Sequence, residues 1–305
     1  MKLKIWLKAI RVPFFTATII PVLFGYLLAW HDMYAFVWSR FLLTLSGAIF
    51  IHAGTNLAND YFDYLAGCDE ANPTPTPFSG GSRVIQDGLI EPKKILYASL
   101  AFFILGSAIG LYLNYICGKN IILVLGIIGV FLGFFYSARP FKIGYGSLGE
   151  LATGIGFGPL MVMGAYYVGA GTLSFEVFMV SIPIGILIAL VLYINEFPDY
   201  LGDKAVGKRT LVVILGKEKA VLLYDLLLAA VYIVIIGLVM LKFLPYSCLL
   251  ALLSVPIALK AFAVSKNNYE KVYELLPANA ATIGLHSVIG LLLCAGIIAA
   301  KIFRI

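Results

Sequence analysis

Two short strings carry most of the oxygen ligands in this chain. Asn59 to Leu65 reads NDYFDYL and Asn195 to Leu201 reads NEFPDYL, with four of seven positions identical. At helical spacing Asn59 and Asp63 share one face, and so do Asn195, Asp199 and Asp203. Asp60, Asp69, Glu70 and Glu196 add carboxylates close by. Gathered carboxylates repel one another and are costly to bury at a membrane boundary, and a bound cation removes that problem. Magnesium suits sites made only of oxygen, and it commonly combines one or two carboxylates with waters and substrate phosphates. Cations stand among these acids: Arg83 in SGGSRV, Lys208 and Arg209 in VGKRTL, Arg139 and Lys142 in YSARPFK. Acids beside Lys and Arg suggest a polyanion held both through metal and directly, as phosphate groups are. Gly80, Gly81 and Gly207 would let backbone approach phosphate closely. A single Asp reads more simply as part of a solvated loop, and Lys217 or Lys219 as a topology signal. The repetition of the acidic string argues against that simpler reading for the whole set.

Other chemistries find little support. His31, His52 and His286 neighbour no plausible Ser or Cys nucleophile and read as packed or hydrogen-bonded side chains. Cys68, Cys117, Cys248 and Cys294 lack metal-ligand spacing, so neither a zinc site nor a disulfide is assigned. Gly154, Gly156 and Gly158, and the G-x-x-x-G pair Gly129 and Gly133, read as close helix packing. A dinucleotide site would need a strand before its glycines.

The elements that must position the acids are membrane helices. Of the 305 residues 61% are hydrophobic and 12% charged, against about 25% charged in a soluble domain. Apolar runs of roughly 20 residues can each cross a bilayer core of about 30 Å as a helix. Spans are predicted near 14–32, 38–58, 94–114, 119–137, 147–170, 175–195, 220–242, 244–264 and 280–300. The fold class is therefore all-α and integral to the membrane, one bundle of about nine transmembrane helices over residues 1–305. The two acidic strings follow the second and sixth spans and suggest an internal duplication. Pro198 is expected to kink or restart its helix. The segment before Phe14 reads as an amphipathic lead-in to the first span, with no A-x-A-like cleavage site after Trp30. With the N-terminus inside, the outer segments keep only Arg40, Lys119, Lys242, Lys301 and Arg304 of the 22 Lys and Arg. Short loops rich in Lys and Arg stay cytoplasmic. The N-terminus and both acidic loops are thus expected on the cytoplasmic side of the cell membrane. The net charge of +6 is then topological, and no nucleic-acid partner is needed to explain it.

These residues resemble the UbiA superfamily of intramembrane prenyltransferases. That family pairs an N-D-x-x-D motif after one helix with a D-x-x-x-D motif four helices later. Here the motifs read Asn59-Asp60-Tyr61-Phe62-Asp63 and Asp199-Tyr200-Leu201-Gly202-Asp203. Many members carry an Asp four residues after the first motif, where this chain has Gly67 and then Asp69. Together with GKRTL (207–211) and YGSLGE (145–150), this G-x-D looks like the menaquinone branch, which prenylates 1,4-dihydroxy-2-naphthoate. The resemblance implies Mg2+ on Asn59, Asp60, Asp63, Asp69, Asn195, Asp199 and Asp203. It implies a prenyl diphosphate gripped by Arg83, Lys142, Lys208 and Arg209, with Asp63, Asp199 and Asp203 central to catalysis. The carbocation-like allylic fragment would be faced by an aromatic ring, with Tyr136 among the candidates Tyr61, Phe62, Tyr64 and Tyr145. The partners implied are the prenyl diphosphate, an aromatic or polar acceptor, and the lipid bilayer. Two other readings share these residues: geranylgeranyl transfer to a glycerol phosphate in archaeal lipid synthesis, and a transporter built on repeats. Alternating access would need a site near the midplane, whereas the paired acids are all predicted on one side.

Overall fold

The computed structural model describes residues 2–33 and 35–304. A short lead-in helix, α1 (Lys2–Ala9), is followed by α2 (Thr16–Met33), α3 (Trp38–Ala66), α4 (Pro92–Cys117) and α5 (Ile121–Phe135). Then come α6 (Gly149–Ala170), α7 (Phe175–Ala205), α8 (Lys217–Met240), α9 (Tyr246–Asn268) and α10 (Val272–Phe303). Among the described residues, eight of these helices are long and apolar enough to cross a membrane. The fourth predicted span, 119–137, is the shorter α5. Its 15 residues rise about 22 Å, less than a full hydrocarbon core.

Large apolar side chains on the outside, among them Ile104, Leu226, Ile233 and Met240, are more than half exposed. A soluble protein rarely leaves such a surface bare; in lipid it costs nothing. The inside is tightly filled. Tyr193, Leu190 and Ile194 of α7 pack with Tyr224 of α8 and Leu285 of α10 in the main core. The lead-in helix sets Trp6 and Ala9 against Leu57 of α3 and Val84, Ile85 and Ile95.

Small residues decide where backbones meet. A Cβ on Gly158 would lie 2.6 Å from the Cα of Gly185, so α6 and α7 touch nearly backbone to backbone at Gly154 and Gly158, whereas Gly156 of the same run faces open space in the cavity. Gly133 instead packs on side chains, with the Thr55 hydroxyl 2.5 Å from where a Cβ would stand. Gly129 differs: its Cβ position is open, and the residue lines a cavity.

The two motif helices run past their predicted ends. Both acidic strings belong to the last turns of α3 and α7, not to the loops that follow. Pro198 lies inside α7 without ending it. Proline lacks the N–H that would bond the carbonyl four residues back, which here belongs to Ile194. Asn279 of α10 supplies the missing donor: its Nδ2 lies 3.0 Å from the Ile194 oxygen. A neighbouring helix thus satisfies the freed carbonyl, a known way for membrane helices to carry proline.

Candidate active site

The site is where the ends of α3 and α7 meet under the segment 67–91. Helix α3 closes on Gly67, whose φ of 72° caps it with bonds to the carbonyls of Asp63 and Tyr64. That left-handed position favours glycine, which accounts for Gly67 standing where many relatives carry an acid. The acid is displaced into the next short turn, Cys68–Ala71, where Asp69 is buried and faces the same cavity. The chain then folds over α7 so closely that a Cβ on Gly202 would lie 2.9 Å from the Cα of Asn72. Gly81 (φ 71°) presses on Asp69; a Cβ there would come 2.6 Å from Oδ2.

Each aspartate facing the cavity is aimed by donors. Asp63 accepts from Tyr145 OH at 2.7 Å on Oδ1 and from Asn59 Nδ2 at 2.9 Å on Oδ2. Asp199 accepts from Asn72 Nδ2 at 2.6 Å, and the Gly80 amide lies 3.4 Å from its other oxygen. Asp69 accepts from Gln86 Nε2 at 2.9 Å. Asp203 pairs one oxygen with Lys208 Nζ at 3.3 Å, while its Oδ2 is buried with no partner. Burial, followed by the negative charges of Asp63 and Asp60, pushes the Asp69 carboxyl up to about 6. Burial alone would lower the Lys208 ammonium, but Asp203 and Asp63 hold it protonated well above its ordinary value. Burial also lifts the Tyr136 phenol, and Tyr145 is raised by burial and by Asp63.

Asn59, Asp63, Asp69, Asn195, Asp199, Asp203, Arg83, Lys208 and Tyr136 all line one cavity of about 1420 Å³. Asp60, Lys142 and Arg209 are placed otherwise. Asp60 turns away, with its oxygens taken by the Arg11 guanidinium and by the hydroxyl and amide of Ser82. Lys142 lies over the Tyr145 ring, 4.2 Å from its centroid, and outside the cavity lining. Arg209 is exposed, and its contribution is a backbone amide donated to the Tyr145 carbonyl at 2.8 Å. Asn195 faces the cavity, but its Oδ1 already accepts from Asn279 at 2.8 Å. Glu70 is exposed, and Tyr61, Phe62 and Tyr64 lie off the cavity.

Sequence reasoning missed Arg11, Asn72 and Asn279. Arg11 reads as one more basic residue of the lead-in, yet it joins the Asn59 side chain (3.0 Å) to Asp60 and lines the cavity. Asn72 sits in a proline-rich stretch with no pattern to mark it. Asn279 could have been noticed, since an amide within an apolar span usually has a partner across the bundle.

Among the described residues, no three acidic, histidine or cysteine side chains close on one point as a complete metal site. The arrangement suits a hard cation that takes only one or two carboxylates and fills its other positions from water and phosphate. The unpartnered Asp203 oxygen is a donor of that kind.

Away from the acids the cavity becomes apolar. It follows α3 from Asp63 back to Thr44, about 28 Å of helix, and is walled by Ile109, Leu113, Ile122 and Gly126. One chamber thus joins a charged end to an oily length.

Comparison with known proteins agrees with this geometry. A 1,4-dihydroxy-2-naphthoate octaprenyltransferase of Bacillus subtilis is 29% identical over 285 residues, 93% of this chain and 88% of that protein. One of the same description from Mycobacterium tuberculosis is 31% identical over 257 residues, 84% of each chain. A UbiA homolog from Archaeoglobus fulgidus superposes with a TM-score of 0.68 at 15% identity, over 97% of this chain and 99% of its own. The same homolog has been solved bound to GPP and Mg2+ (TM-score 0.62, 15% identity, 95% and 99% covered). The transporter reading ends here, because residues 18–299 match the UbiA prenyltransferase family. This chain therefore belongs to the UbiA prenyltransferase family and is a multi-pass membrane prenyltransferase.

Proposed function

We propose that the enzyme transfers a polyprenyl group of geranylgeranyl type from its diphosphate to 1,4-dihydroxy-2-naphthoate, as in menaquinone synthesis, with Mg2+ as cofactor. The observation that carries this reading is the single cavity, charged at the ends of α3 and α7 and apolar along α3. A prenyl diphosphate has that same division between head and tail. The naphthoate acceptor is argued from relatives that are 1,4-dihydroxy-2-naphthoate octaprenyltransferases.

Asp63, Asp69, Asp199 and Asp203 would hold the magnesium, oriented by Asn59, Asn72, Tyr145 and Gln86. When bound, the metal neutralises charge on the diphosphate. Lys208 and Arg83 face the same space and stabilise that charge directly as the allylic C1–O bond breaks and its electron pair stays with the departing oxygen. Tyr136 offers a ring face to the cationic fragment. The helix walls exclude water from it until an electron-rich carbon of the acceptor ring forms the new bond to C1; that ring carbon then loses a proton, or carbon dioxide if it bore the carboxylate, and aromaticity returns.

The test uses purified protein in detergent with magnesium, radiolabelled geranylgeranyl diphosphate and a panel of acceptors. Label should pass to the dihydroxynaphthoate only when magnesium is present. Label passing instead to a glycerol phosphate would overturn the acceptor assignment, and no transfer to any acceptor would overturn the activity.

A further inference from the structure

One buried acid in this cavity has no part in the scheme above. Glu196 lines the cavity, is 6% exposed, and its Oε2 meets no hydrogen-bond donor. It lies three residues before Asp199 and seven before Asp203, so all three share one face of α7. Three residues of helix rise about 4.5 Å, which puts Glu196 one turn deeper in the membrane than the diphosphate acids. The carboxyl of Glu150 on α6 lies beside it, and two buried carboxyls so placed can share one proton, which leaves the pair a negative charge and free acceptor lone pairs toward the cavity. Glu150 Oε1 is itself held by the Leu211 amide at 3.0 Å, and its Oε2 is likewise buried without a donor. Tyr136 borders the same space.

Burying a carboxylate oxygen without a donor is costly. The natural remedy is a ligand that brings a donor, and a further cation would have no phosphate to share at this depth. The reacting carbon of an acceptor must come within about 3–3.5 Å of the prenyl C1, which is bonded to the diphosphate oxygen. An acceptor ring so placed lies about one helical turn below the diphosphate, with its substituents level with Glu196.

We propose that Glu196 binds the acceptor by accepting a hydrogen bond from its ring hydroxyl. The inference rests on the reading of this enzyme as an arene prenyltransferase and adds which group selects the arene. A hydroxyl is favoured at this point because it donates. A carboxylate on the same ring is repelled by the negative charge this pair of acids keeps and must turn away from Glu196. The acceptor therefore enters in one orientation.

The experiment measures KM separately for prenyl diphosphate and for a dihydroxynaphthoate acceptor, in wild type and in Glu196→Ala and Glu196→Asp. Each enzyme is also assayed with the acceptor's mono-methyl ethers, which keep the ring but remove one donor. A hydrogen bond to a charged group is worth about tenfold or more in binding. The alanine variant should raise the acceptor KM by about that factor and leave the prenyl diphosphate KM within about twofold. Methylating the relevant hydroxyl should cost the wild type a similar factor and cost the alanine variant nothing further. Glu196→Asp, which keeps the acid, should retain part of the discrimination between hydroxyl and ether, and it serves alone if the alanine variant does not fold. An unchanged acceptor KM, an equal rise in both KM values, or an ether penalty that survives in Glu196→Ala would overturn the inference while leaving the transferase reading intact. A wild type that transfers to no hydroxylated arene would overturn both.

Discussion

At the scale of single residues, the site separates groups that touch the cavity from groups that only stand near it. Asp63 and Asp199 come from different helices, and each is aimed by its own donors, so neither can replace the other. Asp63→Asn and Asp199→Asn should each insert and fold normally yet lose most turnover. Wild-type rates in either variant would defeat the shared-metal scheme. Chelation by EDTA should abolish transfer and added magnesium restore it. The cations make a sharper comparison, since Arg83 lines the cavity and Arg209 is exposed outside it. A planar guanidinium can bind two phosphate oxygens at once, whereas an ammonium is a point charge. Arg83→Lys should therefore raise the KM for prenyl diphosphate several-fold more than the KM for the acceptor. Arg209→Lys should leave both within about twofold, because its structural contribution is a backbone amide. Unchanged prenyl diphosphate kinetics at both positions would mean that both serve only as topological charge.

At the scale of elements, the site depends on α7 remaining helical through Pro198. The sequence shows the proline and the acids but not the donor that repairs the helix, since Asn279 lies far along the chain. Removing that amide in Asn279→Ala leaves the Ile194 and Asn195 oxygens without it, at a cost of about 1–3 kcal/mol. Pro198→Ala returns a backbone N–H to the Ile194 carbonyl. The same Asn279→Ala change should then cost less, and thermal unfolding of the four proteins in detergent measures the difference. Strict additivity would show that Asn279 does not act through this carbonyl. What could be read beforehand follows the same logic. Periodicity and spacing put Asn59 with Asp63 and Asp199 with Asp203, because those relations lie within single helices. They could not show that Asp60 turns to Arg11 and Ser82, or that Lys142 rests on Tyr145. The first depends on contacts between distant segments, and the second on a local turn in which Lys142 takes a left-handed conformation. Gly67 is the instructive middle case: its sequence position suggests a departure from the family pattern, and its left-handed cap gives the reason.

At the scale of the whole molecule, both acidic motifs lie at one end of a cavity that follows α3 for most of its length. That end must face the compartment from which magnesium and a charged diphosphate arrive. The distribution of Lys and Arg argues that this compartment is the cytoplasm, because basic residues crowd the segments carrying the motifs and are sparse at the opposite ends. The structure offers exposed positions for testing this. In a background lacking the four native cysteines, single cysteines can replace Leu89 and Lys204 at the acidic end and Lys119 and Lys242 at the other. Gly81 is a poor choice, since any Cβ there collides with Asp69. A membrane-impermeant maleimide added to intact cells should label Lys119→Cys and Lys242→Cys, while Leu89→Cys and Lys204→Cys react only once the membrane is opened. The reverse pattern would put the diphosphate site outside and overturn the charge argument. Labelling of positions 89 and 204 from opposite faces would contradict the bundle itself, because one cavity could not then receive both motifs from the same side.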